Sequence, residues 1–223
     1  MPTRTERSAR AAIGHSARRL ATTLDASAKA RRSALALFAV LAYLGIGRAI
    51  DPGFTNYWWY QLVQTTTTLA VLVTVETLFA RDGGLAWQTH LIIVVTTYAD
   101  VLGTAGHLYD TFEPYDKIVH FCSGAVFAAM VYEVLRIVDR RGRIAIPPPR
   151  RALIAVAVSF LIGGLAWELY EYLGDAVFDS GRVQSRLDTA HDLVCNVCGG
   201  IFAVVLLGAR EAARGRFGRR LTT

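Results

Sequence analysis

Cysteine is scarce in this sequence. Three among 223 residues are too few for a disulfide-stapled secreted module. Charge is scarce as well, at 19% of residues. Counting glycine and leaving out tyrosine, ~57% of the residues are apolar, above the roughly 45–50% of a soluble domain. That balance excludes disorder for most of the chain. A basic folded face is missing too, as are aromatics interleaved with arginine, so the net charge of +6 does not imply a nucleic-acid partner. No internal repeat and no soluble domain is visible.

What the sequence does have is long apolar runs with bases gathered between them. A helical bilayer span needs ~20 mainly apolar residues. About six candidates follow in order, at 33–50, 60–80, 85–106, 116–138, 152–172 and 188–208. The second and third are diluted by Gln61, Gln64, Thr65–Thr68, Thr96 and Thr97, which bundled helices tolerate. Asp51-Pro52-Gly53, Arg81-Asp82-Gly83-Gly84 and Pro147-Pro148-Pro149 supply the breaks. The expected fold is an all-α, polytopic transmembrane helix bundle. Residues 1–32 form a basic tail, disordered or loosely helical on the membrane surface and not a cleavable signal peptide. Residues 33–208 form the membrane domain, and residues 209–223 form a second basic tail.

Lysine and arginine set orientation in membrane proteins. The segments 1–32, 139–151 and 209–223 hold 18 of the 24 bases and 4 of the 18 acids. With six spans all three lie on one side, so both termini are expected in the cytoplasm of a bacterial-type plasma membrane. There the bases would also touch anionic lipid headgroups.

Most of the remaining acids gather toward the other side. Asp100 and His107 close the third span, and Asp116 and His120 open the fourth. Glu168 and Glu171 close the fifth, after a long stretch without charge, and Asp188, His191 and Asp192 open the sixth. Residues three, four or seven apart share a helix face, so Asp116 with His120, Glu168 with Glu171, and Asp188 with Asp192 each form a polar face at one depth. A lone acid at mid-span costs ~2.5–3.5 kcal/mol, so such a cluster needs a counter-cation: a bound metal, shared protons, or Lys117, Arg182 and Arg186. Carboxylates with imidazole suit zinc, manganese, iron or magnesium. Asp188-Thr-Ala-His191 has the carboxylate-x-x-His spacing of bundle metal sites.

Plainer roles compete with these. Asp116 and Asp188 each open a span and could be helix N-caps. His107 and Asp110 read as solvated loop residues, and His90 as a structural or interfacial histidine. Pairing with Arg81 and Arg136 would explain Glu76 and Glu133. Cys195-Asn-Val-Cys198 sits in an apolar helix with no second cysteine pair, and close helix packing at Gly199 and Gly200 accounts for it better than zinc. Tyr57, Trp58, Trp59 and Tyr60 mark an interfacial aromatic belt.

The runs Tyr115-Asp-Lys-Ile-Val-His120-Phe121, Trp167-Glu-Leu-Tyr-Glu171 and Asp188-Thr-Ala-His-Asp192-Leu193 together resemble the YjdF-like family of bacterial inner-membrane proteins. A looser similarity links the first run to VanZ-like proteins. The resemblance spans roughly residues 107–200 and implies an integral membrane fold without a settled reaction. Its matching positions are Asp116, His120, Glu168, Glu171, Asp188 and Asp192. The expectation is a metal-dependent membrane enzyme acting on a lipid or cell-envelope substrate. Glu168, Glu171, Asp188, His191 and Asp192 would serve as ligands, and Asp116 or His120 as acid/base. A proton-coupled transporter and a non-enzymatic envelope assembly factor are the alternatives.

Overall fold

The computed structural model describes residues 4–50, 58–142, 144–178, 183 and 185–220. The Asp51-Pro52-Gly53 break, Tyr57 and Arg182 lie outside the described residues. Among those described, every regular element is helical: α1 (Arg4–Ile50), α2 (Trp58–Phe79), α3 (Trp87–Ala105), the single turn α4 (Leu108–Thr111), α5 (Pro114–Arg140), α6 (Pro148–Ser159), α7 (Ala166–Phe178) and α8 (Arg186–Arg220). A π-helical turn, Phe160–Leu165, joins α6 to α7, so the two run on as one long helix. Five helical stretches are long and apolar enough to cross a membrane: Leu20–Gly47, Tyr60–Asp82, Pro114–Arg140, Pro148–Val177 and Arg186–Ala213. The remaining expected span is α3. Its 19 residues would reach about 28 Å, close to the hydrocarbon thickness of about 30 Å, but Gln88, His90, Thr96, Thr97 and Asp100 dilute its apolar content.

The two flanking stretches do not lack regular structure. Helix α1 begins at Arg4 and α8 runs to Arg220. Both stretches are rich in Ala and Arg, which are strong helix formers, and each extends an already nucleated helix, so no new nucleus is needed.

Two packing arrangements build the core. Helix α1 lays the stripe Ala26, Ser33, Leu37, Val40 and Leu44 against α2 and α3, at the three-, four- and seven-residue spacings of one helix face. Helices α5 and α8 form the closest pair, through Gly124, Ala125, Ala128 and Ala129 on one side and Asn196, Gly199, Gly200 and Ala203 on the other. A Cβ at Gly124 would collide with the Asn196 backbone, and one at Gly199 with the Phe121 carbonyl. Small residues bring these helices together, as is usual where lipid gives no hydrophobic driving force between spans. Cys122, Cys195 and Cys198 are all free thiols.

Buried polar groups collect in two layers, one at each end of the bundle. The first ties down the α2–α3 connection. Lys29 donates to the Gly83 and Leu85 carbonyls (2.8 and 2.9 Å). Glu76 accepts from the Leu85 N–H (2.7 Å) and pairs with His90 Nε2 (2.9 Å), whose Nδ1 meets Ser33 Oγ (2.9 Å). Glu76 therefore pairs with His90 and not with Arg81, which is exposed. Glu133 does lie near Arg136 (3.9 Å), and it also accepts from the Ala86 N–H (2.7 Å). Gly84 has φ 61°, and a Cβ there would strike the Glu76 carboxylate. At the same end Glu211 accepts from Tyr132 (2.8 Å) and Arg151 (3.1 Å). Arg141, just past α5, donates to Asp82 and the Leu78 carbonyl, and the Asp82 carboxylate pushes its pKa upward. The second layer, at the opposite end, is the candidate site.

Candidate functional site

Helix α5 supplies the centre of this layer. Its first turn follows Pro114, and Asp116, Lys117 and His120 come within its first two turns. Lys117 Nζ lies 3.0 Å from Asp116 Oδ2, 2.5 Å from Asp188 Oδ1 and 2.7 Å from Asp192 Oδ1. Of the three counter-cations the sequence allows, Lys117 is thus in place, between α5 and α8. Neither aspartate is a helix N-cap. Ser185 caps α8, its Oγ accepting from the Asp188 N–H at 3.1 Å, and Asp116 lies inside the first turn of α5 with its carboxylate on Lys117.

His120 sits behind Lys117 and is buried. Its Nε2 lies 3.4 Å from Asp116 Oδ1 and 3.9 Å from Asp192 Oδ1, and its Nδ1 lies 3.8 Å from Glu168 Oε1. Asn196 fixes the ring. Its Nδ2 bonds the Asp192 carbonyl (3.2 Å) and reaches His120 Nδ1 at 3.0 Å. The ring is thus held between Asn196 at its Nδ1 edge and Asp116 at its Nε2 edge. A carboxylate oxygen of Glu168 approaches the Nδ1 edge as well.

Helix α7 contributes Glu168 and Glu171, one turn apart and both buried. Thr189 hydrogen-bonds Glu168 from α8, and Tyr60 OH lies 3.5 Å from Glu171 Oε1. Two sets of ligand atoms lie within 4.8 Å of one another, Asp116–His120–Asp192 and His120–Glu168–Glu171. The first set is already ion-paired with Lys117. In the second, Glu168 pairs with no lysine or arginine among the described residues. Glu168 Oε1 and Asn196 Oδ1 are buried there without a hydrogen-bond partner.

The structure thus gathers Asp116, His120, Glu168, Glu171, Asp188 and Asp192, and it leaves out His191, which is exposed. The reason is geometric. At 100° per residue, Asp188 and Asp192 fall about 40° apart and face α5, whereas His191 falls about 100° from Asp192. Asp100 is separate as well: it accepts from Tyr109 OH at 2.5 Å. His107 has φ 53° beyond the end of α3, pairs with Asp110 (3.3 Å) and is exposed with it, as expected of loop residues. Sequence reasoning missed Asn196 and the contact from Tyr60. Asn196 could have been found, because it continues the Asp188–Asp192 stripe by four residues inside an otherwise apolar run.

A family model described as a predicted membrane protein, DUF2238, matches residues 32–213. The chain belongs to the DUF2238 family. All five converging acids and the histidine fall within the matched DUF2238 segment. No curated protein and no solved structure matches the chain.

Proposed function

We propose that this DUF2238 protein is a membrane-embedded enzyme whose His120, Glu168 and Glu171 bind one divalent cation, and that it acts on a lipid or other cell-envelope substrate. The observation that carries this reading is the convergence of His120, Glu168 and Glu171, whose ligand atoms lie within 4.8 Å of one another, with the buried Glu168 Oε1 lacking any hydrogen-bond partner. Two buried carboxylates brought this close repel unless a cation or proton lies between them. Five carboxylates share the layer with the single ammonium of Lys117, and buried charges that are not paired coordinate metals. Carboxylate and imidazole donors suit zinc, manganese, iron or magnesium. Such an ion lowers the pKa of bound water toward ~7 and polarises a phosphoryl or carbonyl oxygen. Protons alone are the competing solution. They would sit on His120 or on one of the two glutamates, and the site would then hold no ion.

The resemblances to YjdF-like and VanZ-like proteins supply no reaction, so the reading rests on these residues. The orientation proposed with it puts the cluster at the outer face. The opposite end of the bundle, carrying Arg141, Arg151 and the Arg-rich end of α8, then lies in the cytoplasm against anionic headgroups.

Metal analysis of the purified chain tests the proposal. About one divalent ion per chain is expected in the wild type. Glu168→Ala and His120→Ala should lose it, and Leu153→Ala, on the lipid-facing surface, should keep it. A correctly folded wild type that stays metal-free after incubation with zinc, manganese, iron and magnesium overturns the reading.

A further inference from the structure

A cavity of about 400 Å³ lies between α2, α3, α5 and the π-turn that leads into α7. Ile93, Thr97 and Leu72 form its deep side and are nearly inaccessible from outside. Val63, Val71 and Ile162 line it too, yet are 45%, 40% and 51% exposed. The cavity is therefore open laterally, through a gap whose lips are apolar and lie within membrane-spanning segments. An opening of that kind faces hydrocarbon and not water.

The cavity and the polar cluster share a wall. On α5, Ser123 and Phe127 line the cavity and follow His120 at three and seven residues, along one helix face. On α7, Trp167 and Tyr170 line the cavity, and each immediately precedes a cluster acid, Glu168 or Glu171. Tyr60 closes the boundary from α2. Its ring stacks on Tyr170 (4.5 Å) and meets Trp167 edge-on (6.3 Å), while its hydroxyl reaches Glu171. The π-turn contributes as well: a Cβ at Gly163 would drive into the Phe127 ring, so the glycine keeps that wall in place.

From this arrangement we infer that the cavity holds one hydrocarbon chain of a bilayer phospholipid, entering between α2 and α7, with its head group presented to the cluster past the Tyr60–Tyr170 stack. This rests on the cation-site reading and names its substrate class: a lipid whose head-group oxygen reaches the cation while its chain stays at membrane depth. The volume is within the roughly 300–1,000 Å³ range of small-molecule sites. The lateral mouth lets the chain enter without leaving the bilayer.

The test is photo-crosslinking of the full chain in phosphatidylcholine vesicles containing phosphatidylglycerol with a diazirine midway along one acyl chain. Lipid-facing Leu153 and Val205 should be labelled as a reference, being 71% and 61% exposed. Ile93 and Thr97, only 4% exposed, should be labelled as well, because a chain reaches them only through the cavity. Thr68→Phe, which fills the cavity from α2, should cut labelling at Ile93 and Thr97 at least fivefold and leave Leu153 and Val205 unchanged. Labelling confined to Leu153 and Val205 overturns the inference, as does Ile93 labelling that Thr68→Phe does not reduce. Glu168→Ala separates the two readings, since it should lose the cation and keep the cavity adducts. A wild type that binds the cation without cavity adducts refutes the chain slot alone. Cavity adducts on a metal-free wild type uphold the slot and refute the cation site alone.

Discussion

At the scale of single residues, the site depends on how its histidine is held. Asn196 contacts one ring nitrogen of His120 and Asp116 approaches the other. Asp116 therefore works at one remove from the proposed cation: it orients a ligand that His120 supplies. Partners of that kind change metal affinity by about 10–100-fold when removed. Asp116→Asn should weaken zinc or manganese binding by that factor, measured by competition with a chromophoric chelator, without abolishing it, whereas His120→Ala should abolish it. Equal affinity in Asp116→Asn and wild type would mean that Asp116 serves only Lys117. The sequence contains two lysines, and each is held in a polar layer, Lys29 on loop carbonyls and Lys117 on three aspartates. Lys117 was legible as a candidate counter-charge from its neighbour Asp116. That it also reaches Asp188 and Asp192 was not, because that depends on the rotation of α8 against α5. The same rotation removes His191 from the cluster, although a spacing of three suggests a shared face. His107 shows the limit of spacing in another way: it follows Asp100 by seven residues, but the helix has already ended at Ala105.

At the scale of helices, the cluster is held by the α5–α8 crossing, and this crossing is set by glycine. Adding one methyl group distinguishes two adjacent positions on α8. A Cβ at Gly199 would strike the Phe121 carbonyl, a backbone atom that cannot swing aside, whereas one at Gly200 would meet Ser159 Oγ at 3.5 Å and Ala128 Cβ at 3.6 Å, ordinary contact distances. Overpacking of a tight contact costs about 1–3 kcal/mol or more. Gly199→Ala should lower the melting temperature in detergent by several degrees and reduce the cation content, since Asp192 and Asn196 lie within two turns of it. Gly200→Ala should leave both close to wild type, or raise stability slightly through helix propensity. Equal effects at the two positions would show that the helices do not cross at Gly199. The small residues around Cys195 and Cys198 had suggested this packing in advance. The π-turn had no such signal, because a wide turn leaves no periodicity of its own in a run as apolar as Phe160–Leu165.

At the scale of the whole molecule, the two polar layers are chemically unlike, and that contrast bears on orientation. One layer is bounded by arginines of α5, α6 and α8 and uses its acids to tie loops and helix ends together. The other, among the described residues, has five carboxylates around one lysine and one histidine. Helical spans and their approximate limits could be read from the sequence because hydropathy averages over twenty residues and does not depend on which helix packs on which. Convergence of side chains could be read only as a shared depth. If the arginine-bounded end is cytoplasmic, as proposed from the lysine and arginine bias, a cysteine placed at Asp110 must lie outside. That position suits the measurement: the Asp110 side chain is 75% exposed, and the three native cysteines all lie within membrane-spanning helices. Asp110→Cys should react with a membrane-impermeant maleimide in intact cells, and Arg150→Cys, at the start of α6, only after the membrane is opened. The reverse pattern would turn the carboxylate cluster toward the cytoplasm. It would leave the cation site and the chain slot as they are, but move their substrate from the outer leaflet to the inner one.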